Sequence, residues 1–517
     1  MVDQIARDRI KEDLNATLFV EAGAGTGKTT ALVGRIVALV CSGVSMEHIA
    51  AITFTDRAAS ELRDQVRRRF EQLVNQDSDT ADLAAAALVE LDGAALCTLH
   101  AFAQRILIDH PIEAGLPPAV ELMDDVSGLL EFDERWSLTL HDLLNDPDQT
   151  FTVLAGMELG ITLDHLRKLA LRFDENWDLV EQRLPTAPKP TPLAVDQIVE
   201  TLPNLTALAD HCATSDDKMA EKLNAVGEFT EELARNTADP LSVVRLLSKS
   251  PTATGKGAGN KGNWTGEVSV GEVREQLVAT HETITDELQR LTNEIIARLI
   301  QTIGQSAVAA ANQRQRQGQL SFHDLLVLAR RVLLHPDHGL AVRKSLSQRY
   351  QRLLLDEFQD TDPLQIELAA LIADPDTVTT DWRQLKPRPG ALFFVGDPKQ
   401  SIYGFRRADI SLYLSAQESF DSEGINLERN FRTTGPVIDW VNNIFGQLII
   451  PQAHAQPNYV PLVAQREGSL VGPSVTFLGF DGHEKINADQ RRTEDATEVA
   501  ATITTALAEG WTILDQE

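Results

Sequence analysis

Five short apolar runs organise this chain. Residues 17–20, 49–55, 94–97, 353–355 and 391–395 are nearly continuous stretches of aliphatic, aromatic or β-branched residues, the pattern of strands buried in a parallel sheet. From about residue 1 to 110 such runs alternate with helical periodicity, including a helix pattern that follows residue 55 through Arg69. Between 111 and 319 the strand signals fade and helical spacing takes over, most plainly over 273–303. Two breaks interrupt that stretch: the Pro-rich 184–192, and 250–266, whose Gly, Thr and Lys content predicts a mobile loop. The sheet pattern resumes near Leu353 and runs to about residue 420, and 494–509 gives a last helix. No internal repeat or coiled-coil heptad run is visible. The pattern predicts an α/β fold: a parallel-sheet domain interrupted by a large helical insertion.

Composition sets bounds on this picture. A chain of 517 residues, 43% hydrophobic, is long enough for several domains with substantial cores. Its three cysteines, Cys41, Cys97 and Cys212, share no ligand spacing, which suggests a reducing compartment and argues against zinc or iron–sulfur sites. The first fifteen residues are polar and charged, and no apolar stretch is long enough to span a bilayer. The expectation is a soluble cytoplasmic protein without a membrane partner. A net charge of −29 argues against a protein that coats nucleic acid. The charge is uneven, however: residues 121–250 carry 25 acidic and 11 basic side chains, whereas Arg63, Arg67, Arg68 and Arg69 cluster behind residue 55, and Arg406 and Arg407 lie together. A local basic track within an acidic body, or a solvated helix face in the case of the four arginines, fits this distribution.

Candidate chemistry concentrates at the ends of the apolar runs. After the first comes Ala22-Gly23-Ala24-Gly25-Thr26-Gly27-Lys28-Thr29-Thr30. Small residues there let a turn wrap a phosphate with its backbone N–H groups, and the helix that follows adds favourable partial charge at its N-terminus. Lys28 would reach the β- and γ-phosphates, and Thr29 would ligate Mg²⁺. The strict pattern has Gly where this chain has Ala22. After the fourth run comes Asp356-Glu357-Phe-Gln-Asp360. Asp356 is expected to hold Mg²⁺ directly or through water, and Glu357 to act as the general base on the attacking water. The carboxyl ends of strands in an open α/β sheet line the ligand crevice, so both phrases fall where one nucleotide would lie. Together they predict an NTP hydrolysis site.

Further phrases carry a resemblance. They are Ala51-Ile-Thr-Phe54-Thr-Asp-Arg-Ala-Ala-Ser-Glu-Leu62, Thr98-Leu-His100-Ala-Phe102, Leu320-Ser-Phe-His-Asp324-Leu-Leu326, Gly396-Asp-Pro-Lys-Gln400-Ser-Ile-Tyr-Gly-Phe-Arg406 and Leu427-Glu-Arg-Asn-Phe-Arg432. With the two ATP phrases, in this order, the chain resembles the ATPase half of a superfamily 1 DNA helicase of the UvrD/Rep kind. It is closer to the helicase subunits of the RecBCD and AddAB exonucleases.

The resemblance implies a RecA-like P-loop domain 1A from residues 1–110 and 320–420, a helical 1B insertion at 111–319, and the start of a second RecA-like lobe, 2A, at 421–517. It implies ATP and Mg²⁺ as cofactors and 3′-to-5′ movement on DNA, either single-stranded or a duplex end with a single-stranded tail. It also suggests one candidate protein partner, a second helicase–nuclease subunit. By the same resemblance Phe54 stacks on a base while Thr55 meets DNA phosphates, and Thr98 and His100 touch the DNA backbone. Gln400 senses the γ-phosphate, and Tyr403, Phe405 and Arg406 beyond it grip DNA, with Phe405 where the family often has Trp. Arg432 reaches the γ-phosphate from the second lobe, Phe431 packs on adenine and Gln4 reads the adenine edge. The family's later motifs and a nuclease constellation are not found before Glu517, so the resemblance covers the first part of such an enzyme. Two alternatives stand beside it: a nucleotide-dependent DNA-binding subunit without unwinding activity, and another P-loop enzyme such as a small-molecule kinase.

Overall fold

A computed structural model describes residues 3–76, 80–191, 193–253, 257–264, 268–360, 362–404, 407–420, 422, 424–452, 455–468, 471–479 and 487–512. The chain forms two compact units, one of residues 1–114 with 325–517 and the other of residues 115–324.

Among the described residues the strands are β1 (Leu18–Ala22), β2 (Ile49–Thr53), β3 (Ala95–Thr98), β4 (Glu121–Leu122), β5 (Gln319–Leu320), β6 (Arg352–Leu355), β7 (Leu392–Gly396), β8 (Gly424–Leu427), β9 (Arg429–Thr434) and β10 (Val463–Arg466). Six of them make one sheet in the order β3-β2-β6-β7-β1-β8. Every neighbouring pair is parallel, with Leu18 opposite Phe393, Ile52 opposite Leu355 and Ala22 opposite Leu427. Parallel pairing puts all carboxyl ends on one edge, so the turns after β1, β2, β3, β6 and β7 share a single rim. The five apolar runs supply five of these strands because residues such as Val20, Ala51, Leu354 and Phe394 are buried on both sheet faces. Strand β2 stops at Thr53, so Phe54 and Thr55 are rim residues and not strand residues.

The core beneath the rim is partly aromatic. Phe19 stacks on Phe394 at 4.2 Å between ring centres, and Phe358 and Tyr413 close around the pair. Arg35 is a charged member of this interior, 1% exposed, and its guanidinium donates to the carbonyls of Ile10, Asp13, Leu14 and Ala16 over the ring of Phe393. Burial lowers its pKa to about 10. These bonds tie the N-terminal helix Gln4–Glu12 to the helix Lys28–Cys41 that follows the Gly-rich turn.

Downstream of β8, strands β9 and β10 pair in parallel as a separate two-stranded sheet, with Ala464 opposite Asn430, beside the helix Gly435–Leu448. The helix Ala488–Glu509 buries none of its residues.

Among its described residues the second unit is helical apart from the β4–β5 pair and an isolated Cys212–Trp264 bridge. Its spine is one 48-residue helix, Val270–Gln317, opened by a capping box between Ser269 and Glu272 and closed by Gly318 at φ +73°. The pattern over 273–303 is the middle of this helix. Val273, Leu277, Ile284, Leu291, Ile295, Leu299 and Ile303 run down its buried side into two apolar clusters. The 250–266 segment departs from expectation where it is described. Thr252 is fully buried, Trp264 is 8% exposed, and the Asp217 carboxylate accepts the Asn260 N–H at 2.8 Å. Those contacts anchor the segment.

Candidate nucleotide site and the adjoining strand-end rim

The turn after β1 is built by two residues in left-handed conformation, Gly25 at φ +78° and Gly27 at φ +85°. Such torsions favour glycine. Ala22, by contrast, is the last residue of β1, paired and buried without a positive φ, so its Cβ is accommodated where the strict pattern has Gly. Thr26 is buried and its hydroxyl donates to the Gly23 carbonyl at 2.8 Å, which locks the turn from inside. Ala24 and Thr30 are exposed; Gly25, Gly27, Lys28 and Thr29 are half-buried. The helical ladder begins with Ala31 N–H donating to Gly27 O at 2.9 Å. The N–H groups of Lys28, Thr29 and Thr30 therefore precede it and face the rim, the usual anion-binding end of a helix.

The acid strand end meets this turn directly. Lys28 Nζ lies 2.6 Å from Glu357 Oε2. Glu357 has φ +51°, a strained value for a residue with a Cβ, and that kink after β6 turns its carboxylate toward the lysine. Asp356 accepts the Glu357 N–H at 3.0 Å. Burial, followed by repulsion from the Glu357 carboxylate, raises its pKa to about 6 against the pull of Lys28. Asp360 is raised by the same two causes, and its Oδ1 is buried with no hydrogen-bond partner. The Asp356 carboxyl, raised by burial and by Glu357, is short of positive charge. Its oxygen fits a hard divalent cation such as Mg²⁺ held mainly through phosphate and water, since among the described residues no group of three or more Asp, Glu, His or Cys side chains is placed to hold a metal by itself.

The turn after β7 completes the inner rim. Gln400 is exposed, and its amide donates to Asp397 Oδ2 at 2.6 Å. Lys399 bonds Glu21 and reaches Asp397 Oδ1 at 3.1 Å. Burial opposes its charge, but the two carboxylates outweigh burial and hold its pKa above the usual lysine value.

Farther along the rim Phe54, 38% exposed, and Tyr403 lie with ring centres 5.0 Å apart and planes tilted by 38°. Two turns far apart in sequence thus offer one aromatic surface. Thr55 caps the helix Asp56–Val74 by accepting the Ala58 N–H at 3.1 Å. Thr98 likewise caps Leu99–Asp109, accepting Ala101 N–H at 3.4 Å, and is only 9% exposed. Each hydroxyl has its proton left to donate. His100 sits half-buried in the first turn of the same helix. Phe405 and Arg406 lie outside the described residues.

The second sheet leans on the Gly-rich turn. Phe431 N–H donates to Gly25 O at 2.8 Å, and a Cβ built on Gly23 would come within 3.0 Å of Leu462. Arg432 is exposed beside the turn. The Phe431 ring lies 5.1 Å from the Arg7 guanidinium. Gln4, on the same helix as Arg7, spends its amide on Asp8 at 2.7 Å.

Two residues that the sequence motifs do not flag stand out. Arg7 pairs with Asp3 at 2.7 Å, donates to Thr26 O at 2.9 Å and underlies Phe431, so it braces both the turn and the ring. The signal was its place one helical turn after Gln4. Gln359 is 3% exposed and bridges two strand ends, donating to Glu357 Oε2 at 2.8 Å and accepting the Asp397 N–H at 2.8 Å. Ser401 also donates to its carbonyl at 3.0 Å. Its signal was a carboxamide enclosed within the acidic phrase after β6.

Comparison with known proteins follows the same outline. A family model described as UvrD/REP helicase N-terminal domain matches residues 3–421. A Pediococcus pentosaceus protein described as an ATP-dependent helicase/nuclease subunit is 26% identical over 487 residues, covering 85% of this chain and 38% of that protein. The protein of the same description in Levilactobacillus brevis is 29% identical over 505 residues, 86% of this chain and 38% of its own length. That of Moorella thermoacetica is 26% identical, covering 87% and 35%. The chain thus spans well under half the length of these relatives.

Proposed function

The chain belongs to the UvrD/REP helicase N-terminal domain family, and from that premise we propose that it is the ATPase portion of a DNA helicase that couples ATP hydrolysis to movement on single-stranded DNA. The observation that carries the proposal is the 2.6 Å contact between Lys28 and Glu357, which joins the phosphate turn to the acidic strand end. In this reading the N–H groups of the turn from Gly23 to Thr30 cradle the phosphates, and Lys28 leaves Glu357 for the β- and γ-oxygens. Glu357 is then free to take a proton from water. Thr29 and Asp356 would hold Mg²⁺, which neutralises phosphate charge when bound. Gln400 and Arg432 read the γ-phosphate, and Phe431 with Gln4 takes the adenine.

The Phe54–Tyr403 pair supports a DNA track, since stacked rings accept any base at roughly 1–3 kcal/mol each. Thr55, Thr98, His100, Phe405 and Arg406 are assigned to the same strand of DNA. The word subunit in the relatives' description favours a second helicase–nuclease subunit as partner; 3′-to-5′ polarity, work on DNA ends and a cytoplasmic place belong to the same proposal and rest on the family resemblance. Among the described residues no helix is long and apolar enough to cross a membrane.

The test is ATP hydrolysis by the 517-residue chain with and without single-stranded DNA, beside Lys28→Ala. Turnover stimulated several-fold by DNA and lost in the variant is expected. ATP binding without stimulated turnover would assign the chain a nucleotide-dependent DNA-binding role instead.

A further inference from the structure

Asn430 precedes the two residues assigned to the adenine and the γ-phosphate. It is 2% exposed, and every bond it makes is to backbone. Its Oδ1 accepts the N–H groups of Arg432 at 3.0 Å and Thr433 at 2.7 Å, closing the bulge in β9 that carries the arginine. Its Nδ2 donates to the Ala24 carbonyl at 2.6 Å, in the middle of the phosphate turn. A carbonyl can only accept and an N–H can only donate, so this position requires a short side chain with both an acceptor and a donor. Serving all three at once takes separate acceptor and donor atoms, which a short carboxamide provides and a single hydroxyl does not.

The neighbouring geometry is equally tight. Phe431 N–H donates to Gly25 O at 2.8 Å. A Cβ on Gly25 would meet Arg432 Cβ at 2.7 Å and Asn430 Nδ2 at 2.8 Å. The phosphate turn therefore lacks side-chain bulk where the bulge of β9 touches it.

We propose that Asn430 is a positioning residue for Arg432: it fastens the arginine-bearing bulge of β9 to the phosphate turn, so that the guanidinium's reach is set by the loop that holds the nucleotide. The pair then distinguishes triphosphate from diphosphate. This rests on the nucleotide reading above. Asn430 itself touches no substrate; its effect passes through Arg432.

The test is a double-variant cycle on the 517-residue chain, reading the ratio of affinities for ATPγS and ADP. Adenine contacts cancel in that ratio. Asn430→Ala is expected to cut the ratio about tenfold, the weight of one charge-assisted hydrogen bond. Arg432→Ala should cut it by a similar factor, and the double variant should fall no further. Retained ADP binding shows that the site is folded. Where Asn430→Ala fails to bind ADP, Asn430→Asp replaces it in the cycle. It keeps both acceptor bonds, and its added charge enters both backgrounds and cancels. A wild-type ratio in the Asn430 variant, or losses that multiply in the double variant, overturns the proposal. Absence of binding of either nucleotide to the wild-type chain overturns the nucleotide reading, and this inference with it.

Discussion

Replacing Asp356 by asparagine should stabilise the first unit while abolishing the ATP hydrolysis proposed for it. The Asp356 carboxyl is moved from an ordinary 3.8 to about 6, first by burial and then by Glu357. For an acid whose folded-state pKa is raised, the folded form binds more protons than the unfolded form between the two values, so stability falls as pH rises through that window. Above pH 6 the penalty is complete. Two pKa units at roughly 1.4 kcal/mol each give about 3 kcal/mol. Solvent at the open side of the rim and relaxation of the site reduce this, so an increase of about 1–3 kcal/mol is expected at pH 7.5. Asparagine keeps an acceptor for the Glu357 N–H, which Asp356 now bonds at 3.0 Å, so that donor is not left unsatisfied. The assay is urea unfolding of wild type and variant in excess EDTA at pH 7.5 and pH 5.0, with a probe in the sheet-bearing unit. At pH 5.0 the gap should be about half its pH 7.5 value, because the folded-state carboxyl is by then mostly protonated. A variant equally or less stable at pH 7.5, or a gap that does not change with pH, would show that Asp356 carries no such charge penalty in the folded unit.

Other perturbations separate the remaining parts. Gln359→Ala cuts the bridge between Glu357 and Asp397; steady-state kinetics should show kcat lowered roughly tenfold or more with ATP affinity within about twofold, and the reverse split would contradict the bridging role. Phe54→Ala and Tyr403→Ala should each weaken binding of an oligothymidylate by about 1–3 kcal/mol in fluorescence anisotropy. Their combined loss should be less than the sum, since the rings are 5.0 Å apart. In the helical unit, Asp324 is 1% exposed and accepts from Arg314 Nε at 2.8 Å and Trp177 Nε1 at 2.8 Å. Asp324→Ala should cost about 3–5 kcal/mol in denaturant unfolding by stranding both donors. Burial would raise the Asp324 pKa, but Arg314 outweighs it and holds the value below 3.8, so this stabilisation is full at neutral pH and fades as pH drops below that value.

Strands β1, β2, β3, β6 and β7 were legible because a strand buried on both faces is an unbroken apolar run. Strands β8 and β9 were not. Gly424–Leu427 alternates exposed and buried, and Arg429–Thr434 carries two arginines, an asparagine and two threonines, so neither stands out from a loop by hydrophobicity. The 48-residue helix was visible only where its apolar spacing is strong. Its last turns bury alanines and Arg314, which carry little periodic signal.

The site divides along similar lines. Lys28 and Glu357 could be found because each lies in a phrase whose local backbone dictates its chemistry. Gln359, Arg7 and Asn430 left only faint signals, since each has a decisive partner contributed by a turn or strand distant in sequence. Gln4 shows the converse: its position suggested a role, while its amide bonds Asp8 on its own helix.

In the proposed helicase the nucleotide turn and the Phe54–Tyr403 surface act as one device. The most direct measurement is the affinity of the 517-residue chain for a fluorescent oligothymidylate with and without saturating ATPγS and Mg²⁺. Coupling through the rim predicts a several-fold change, about 1 kcal/mol or more, that disappears in Lys28→Ala. The same affinity in both conditions, with ATPγS shown to be bound, would contradict the account.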